Sequence, residues 1–214
     1  MKGALWNTGA PQVIGRNRLR RKILCREHNQ ALSPVDAEAG RTFKAVTELD
    51  NWLAASRKTQ QEPRFHEVQG PLLERWFLKT TVNLFVLSGA GRTWADGARH
   101  DSPPGGLAET TFGNCRLGYP LGLYSWTGRV GQEFRLRTEL GFTPWFLGER
   151  LAGAHFQFHG LNFLLWLLGA EVPKDRGCML YRHMGGELHD GPNRAEIKFV
   201  WPSEWVAPAV LATE

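Results

Sequence analysis

The chain has 214 residues, 42% of them apolar and 22% charged, and a formal net charge of +5. That length can bury a substantial core, as one large domain or two small ones, and that mix excludes a disordered or fibrous chain. The longest apolar run, within Leu161–Leu168, falls far short of the ~20 residues of a membrane-spanning helix.

In chain order, residues 12–24 ("QVIGRNRLRRKIL") read as two short strands around the turn-prone Gly15-Arg16-Asn17. Cys25 and His28 follow at knuckle spacing. Ser33 then offers an N-cap, Pro34 suits the first helical position and Asp36 the first turn. Ala39, Phe43, Val46, Leu49 and Leu53 recur every three or four residues, which predicts an amphipathic helix of about 22 residues ending near Ser56-Arg57. The polar stretch "RKTQQEP" is a connector. A second helix is expected from Gly70-Pro71 to Gly89, with apolar residues almost all round it and therefore burial on most sides. Residues 89–106, rich in glycine and proline, read as a long functional or mobile loop. Beyond residue 106 the pattern turns to strands: "EFRLRTEL" (133–140) alternates cleanly, and "HFQFH", "NFLLWLL", "CMLYRH" and "AEIKFVW" follow between turns. The expected fold is α+β: a hairpin and long helix, a second helix, then a mostly antiparallel meander of five or six strands. Residues 1–57 form one candidate domain and 58–214 another, with a single continuous domain as the alternative.

The charge is unevenly placed. Residues 1–30 carry seven Lys/Arg against one acid, Glu27, a net +6, so the other 184 residues carry −1 of the total +5. Arg16, Arg18, Arg20 and Lys22 alternate along one expected strand and share a face, while Arg21 points the other way and Arg26 follows. Such a patch suits phosphate backbones or an acidic protein surface. Nine tryptophans and twelve phenylalanines imply either a tryptophan-rich core or rings that face a partner. Cys25, Cys115 and Cys178 are odd in number and scattered, which argues for a reducing compartment over a disulfide framework. With no secretory or membrane address visible, a cytoplasmic location is expected.

The order "NRL…ILCREHN" followed by a helix resembles the ββα core of HNH-type endonucleases, over roughly residues 12–50. It is also similar to bacterial and phage proteins whose "LC-x-x-HN-x-x-LS-x-x-D" segment precedes a β-rich part. The resemblance places Asn17 at the central asparagine and Cys25 and His28 at one zinc knuckle. His28-Asn29 stands where the last metal-binding residue lies. It also implies a general-base histidine on the first strand, yet residues 1–24 contain no histidine and no second Cys-x-x-Cys pair. Tetrahedral zinc takes four ligands, so Cys25 and His28 are half a site. The segment reads as a nuclease core that has lost its chemistry and kept its arginines.

Other candidate sites are thinner. His155 and His159 of "HFQFH" would converge on a helix but lie about 13 Å apart on a strand, and the strand context excludes them as a metal pair. His183 and His189 flank "MGGEL", an expected turn, with Glu187 and Asp190 nearby. Glu74, Lys79 and Asn83 near Trp76 suggest a polar seam on the second helix, of a kind that usually satisfies backbone or itself. No phosphate loop and no nucleophile elbow occurs.

Two functions follow. The preferred one is a non-catalytic interaction protein of the phage or mobile-element type. It would bind a bacterial protein or ribonucleoprotein complex that handles nucleic acid, or the nucleic acid itself, through Arg16, Arg18, Arg20, Arg21, Lys22 and Arg26. An anti-CRISPR-like inhibitor of a bacterial defence system fits that profile. The alternative is a metal-dependent HNH-family endonuclease acting on DNA, with missing ligands from Cys115, Cys178 or a partner chain. The first reading needs no catalytic residue, cofactor or membrane; the second needs a metal at Cys25 and His28.

Overall fold

A computed structural model describes residues 26–55, 62–88, 92–94, 96–99, 103–127, 141–158, 161–169, 178–190 and 192–205. The hairpin expected over 12–24, Cys25 and the strand expected over 133–140 lie outside the described residues.

The two long helices stand where periodicity puts them. Helix α2 (Ser33–Ala55) buries Val35, Glu38, Ala39, Thr42, Ala45, Val46, Leu49, Trp52 and Leu53, one continuous stripe at three- and four-residue spacing. Val35, Val46 and Leu53 are at most 1% exposed, and burying each contributes roughly 1.5–3 kcal/mol. A short helix α1 (Arg26–Ala31) precedes it, joined through the fully buried Leu32. The Asp36 N–H donates to the Leu32 carbonyl at 3.1 Å. Ser33 is therefore the first residue of α2 and not the residue before it.

Helix α3 (Gly70–Ser88) follows strand β1 (Arg64–Gln69) without a break. It packs against α2, β1 and both sheets, so Leu73, Phe77, Leu78 and Phe85 are buried and Trp76, Val82 and Leu84 partly so. Glu38 ties α2 to this junction. Its carboxylate accepts the Gln69 N–H at 2.7 Å and pairs with Arg41.

Among the described residues seven further strands follow: β2 (Gly122–Thr127), β3 (Gly141–Leu147), β4 (Arg150–Phe158), β5 (Leu161–Trp166), β6 (Cys178–Tyr181), β7 (Gly185–Asp190) and β8 (Asn193–Val200). They form two sheets in place of one meander. The larger is antiparallel in the order β3-β4-β5-β2-β6, so β2 inserts between β5 and β6. The smaller is β1-β8-β7, in which β7 and β8 are antiparallel and β1 pairs with β8 in parallel. In β8, Asn193, Ala195, Ile197 and Phe199 are buried while Arg194, Glu196 and Lys198 are exposed. "MGGEL", expected as a turn, supplies the start of β7.

Within the stretch 89–106, residues 92–94 and 96–99 are held against the sheet rather than left as an open loop. Thr93 exchanges hydrogen bonds with the β3–β4 hairpin, its N–H to the Glu149 carbonyl and its carbonyl from the Leu151 N–H. Trp94 is fully buried edge-on against Phe85, and the Arg92 guanidinium sits 4.0 Å over the Phe146 ring. Helix α4 (Gly105–Phe112) comes next. Its end is marked by Gly113 at φ 86°, with Gly113 and Asn114 N–H groups returning to the Thr110 and Glu109 carbonyls. That left-handed stop favours glycine.

One apolar core runs from α2 through α3 to both sheets, with Phe77, Phe156, Phe163 and Phe199 in ring-to-ring contact. Trp52, Trp94, Trp166 and Trp201 are buried. Most described tryptophans thus serve the interior, although Phe65 and Tyr119 remain 67% and 65% exposed. Among the described residues no helix is long and apolar enough to cross a membrane.

Candidate functional site

Of the residues expected to bind a partner, Arg16, Arg18, Arg20, Arg21 and Lys22 lie outside the described residues, as does Cys25. Arg26 is exposed at the start of α1, a helix with no buried residue. His28 lies on that helix, its ring 5.1 Å from Phe112 at the end of α4. Helix α4 is fixed in turn by Arg75 of α3, whose Nε donates to the Thr111 carbonyl at 3.0 Å. Lys79 joins α3 to α2 through both Asp36 oxygens at 2.6 and 2.7 Å. Helix α1 is therefore an exposed element carried on a braced three-helix surface.

Cys115 follows α4 and is exposed. Its thiol lies 3.3 Å from a Glu109 carboxylate oxygen, and that hydrogen bond pushes the thiol pKa up. The thiolate that a metal requires is disfavoured in this arrangement. Among the described residues no group of three histidine, cysteine or acidic side chains is placed to hold a metal. His155 lies on strand β4, as expected, and its Nε2 is 3.1 Å from Asn162 Oδ1. His189 and Glu187 share the outer face of β7 at 3.0 Å, with Arg194 of β8 also on Glu187.

The polar seam expected on α3 proves to be two separate contacts. Lys79 reaches Asp36, whereas Glu74 turns into the core and meets Arg182, 108 positions away in sequence. Both side chains are only 2% exposed. Arg182 Nε and one terminal nitrogen grip the two carboxylate oxygens at 3.1 and 2.9 Å. The Leu123 N–H adds a third bond to the same carboxylate at 2.8 Å. Arg182 also donates to the Leu117 carbonyl at 2.7 Å and the Trp205 carbonyl at 2.9 Å. Its guanidinium lies over the Tyr181, Trp201 and Trp205 rings. Four of the five N–H donors of the guanidinium are thus committed to the protein, so the pair is a structural clamp and not an anion receptor. Burial pushes the Glu74 carboxyl up, and the bonds and charge of Arg182 pull against that rise.

Around the clamp, Tyr119 stands edge-on to Tyr181, and Tyr181 contacts Tyr124. Tyr124 and Tyr181 donate to the Pro120 and Leu121 carbonyls. Burial pushes both phenols up, Tyr181 to about 12 against the nearby Arg182 charge, and Tyr124 further with help from Tyr119 and Tyr181. A phenol pKa raised on folding means the unfolded chain holds fewer protons above its ordinary value of about 10. The stability contribution is complete below pH 10 and is lost as pH rises toward 12. An alkaline titration should show the Tyr124 and Tyr181 phenolates only above pH 10, together with loss of the folded circular-dichroism signal. Complete phenolate formation by pH 10 in a folded chain would contradict it.

A cavity of about 270 Å³ lies between the inner faces of the two sheets. Phe163 and Phe199 form its aromatic wall, their rings 5.9 Å apart and nearly perpendicular. Ser125 and His183 also line it, and burial pushes the His183 imidazole pKa down. Sequence spacing marked His183 only as a loop metal candidate; the cavity depends on β2, β5, β7 and β8 meeting in space.

The chain matches no family model, no curated protein and no solved structure.

Proposed function

We propose that this chain is a non-catalytic interaction protein. It docks on a bacterial complex that handles nucleic acid, in the manner of a phage-type inhibitor of a defence system. The observation that carries this reading is the charge distribution: +6 in residues 1–30 against −1 in the rest. Basic charge confined to one short segment supports a directed contact with phosphate or carboxylate groups. The exposed α1, beginning at Arg26 and braced through Phe112, offers a firm base for that segment.

The test is the triple reversal Arg18→Glu, Arg20→Glu, Lys22→Glu. A complex captured with the wild-type chain from bacterial lysate is identified by mass spectrometry, and its association kinetics are compared with the variant. Affinity should fall at least tenfold, mostly through slower association. Wild-type association should also slow steeply above ~0.1 M salt, where the Debye length drops below about 10 Å. Unchanged association by the folded variant would reduce the patch to a solvated face.

The endonuclease alternative has one favourable contact. The His28 ring on Phe112 brings α1 beside the end of α4, with Glu109 on that helix and Cys115 just after it. On that reading Cys115 completes the Cys25–His28 half-site. Stoichiometric zinc, lost on Cys25→Ala and on Cys115→Ala, together with plasmid nicking in Mg²⁺, would establish it over the interaction reading.

A further inference from the structure

The chemistry of the cavity between the sheets points to a different kind of ligand from that of the basic segment. We infer that it is a binding site for a neutral aromatic heterocycle of up to two fused rings, the size class of a nucleobase.

Three observations carry this. The first is volume: a cavity of about 150 Å³ suffices for benzene, so about 270 Å³ accommodates a bicyclic ring. The second is the wall. The perpendicular Phe163 and Phe199 rings, with Ile197 beside them, give an aromatic guest both a face and an edge to pack on. The third is the polar inventory. Among the described residues, neither the Ser125 hydroxyl nor the His183 ring has a side-chain hydrogen-bond partner, and both line the space. Each can donate or accept, which matches a heterocycle edge that alternates donors and acceptors.

Charge excludes the obvious competitors. No lysine or arginine is among the described lining residues, so a carboxylate or phosphate would enter without a counter-ion. His183 does not supply one, because burial favours its neutral form. Glu187, at the rim, turns its carboxylate to the outer face, where it pairs with His189 and Arg194, and so supplies no cation to the cavity. A mainly apolar cleft with a few converging neutral polar groups is the usual form of a small-molecule site.

Gly186 provides the decisive variant. It lines the cavity, and a Cβ built there meets no atom within 4 Å. Gly186→Val therefore places its methyl groups in the space that the ligand would take, on a strand that suits a β-branched residue. Ligand-detected NMR and calorimetry on the full chain would compare benzimidazole, benzene and benzoate at pH 8. Wild type should bind benzimidazole saturably and benzoate at least tenfold more weakly. Gly186→Val should weaken benzimidazole at least tenfold. His183→Leu, which keeps apolar volume and removes the ring nitrogens, should weaken benzimidazole several-fold and leave benzene unchanged. This variant serves alone if Gly186→Val does not fold. Absence of saturable benzimidazole binding, equal benzoate binding, or benzimidazole affinity untouched by both folded variants would each overturn the assignment.

Discussion

Arg182→Met is expected to destabilise the chain by about 3–5 kcal/mol, the usual consequence of removing one partner of a buried ion pair. The cost has little to do with lost attraction. It arises because the Glu74 carboxylate, 2% exposed, keeps only the Leu123 N–H as a partner, and the Leu117 and Trp205 carbonyls lose theirs. A buried acceptor left unpaired costs about 1–3 kcal/mol. The double variant Glu74→Leu, Arg182→Met removes the orphaned charge and should recover much of the loss, since apolar replacements of buried ion pairs are often neutral. Recovery should be incomplete, because the two carbonyls remain unpaired in either background. Urea denaturation of the wild type, both single variants and the double variant measures these terms. A loss below about 1 kcal/mol for Arg182→Met would mean that the clamp does not hold α3 to the larger sheet.

That clamp also illustrates what the sequence could disclose. Helices α2 and α3 are legible because their burial repeats every three or four residues, and β8 because its burial alternates strictly. Strand β1 is not, since only Val68 of "RFHEVQ" is fully buried and Phe65 faces outward; its parallel partner β8 lies 131 positions on, at Arg64↔Ala195. Helix α4 opens on two glycines, poor helix formers, and depends on the Gly113 stop and the Arg75 contact. The expected polar seam on α3 grouped Glu74 with Lys79 and Asn83, and nothing local pointed to Arg182 as the partner of Glu74. Partners separated by 108 positions carry no periodic signature. The same holds for the cavity, whose walls come from strands of both sheets. The basic segment is the reverse case: its charges are plain in the sequence, and only Arg26 falls within the described residues.

Gly153→Ala should be among the most damaging single-methyl changes at the described residues, on the order of 3 kcal/mol, at the upper end of the usual cost of overpacking. Gly153 sits beside a bulge in β4. Trp145 pairs with Gly153 but Phe146 pairs with Leu151, so Ala152 is an extra residue. The bulge presses the β4 backbone onto β5, and a Cβ at Gly153 would run into the Leu165 carbonyl oxygen. That oxygen is backbone and has no rotamer by which to escape. Its neighbours give no room either, because Leu151, Ala152, Ala154, Leu165 and Trp166 are all 0% exposed. Accommodating the methyl group requires β4 and β5 to separate at the centre of the larger sheet. Gly186→Ala is the matched control: it is also a strand glycine, but its Cβ meets nothing. There the substitution should be neutral or stabilising by about 0.4–1 kcal/mol, through the reduced freedom of the unfolded chain. Thermal and urea unfolding of the two variants side by side separates a steric cost from a general effect of losing glycine. Equal stability of the two variants would show that β4 and β5 can part without penalty and that the close approach at Gly153 is dispensable.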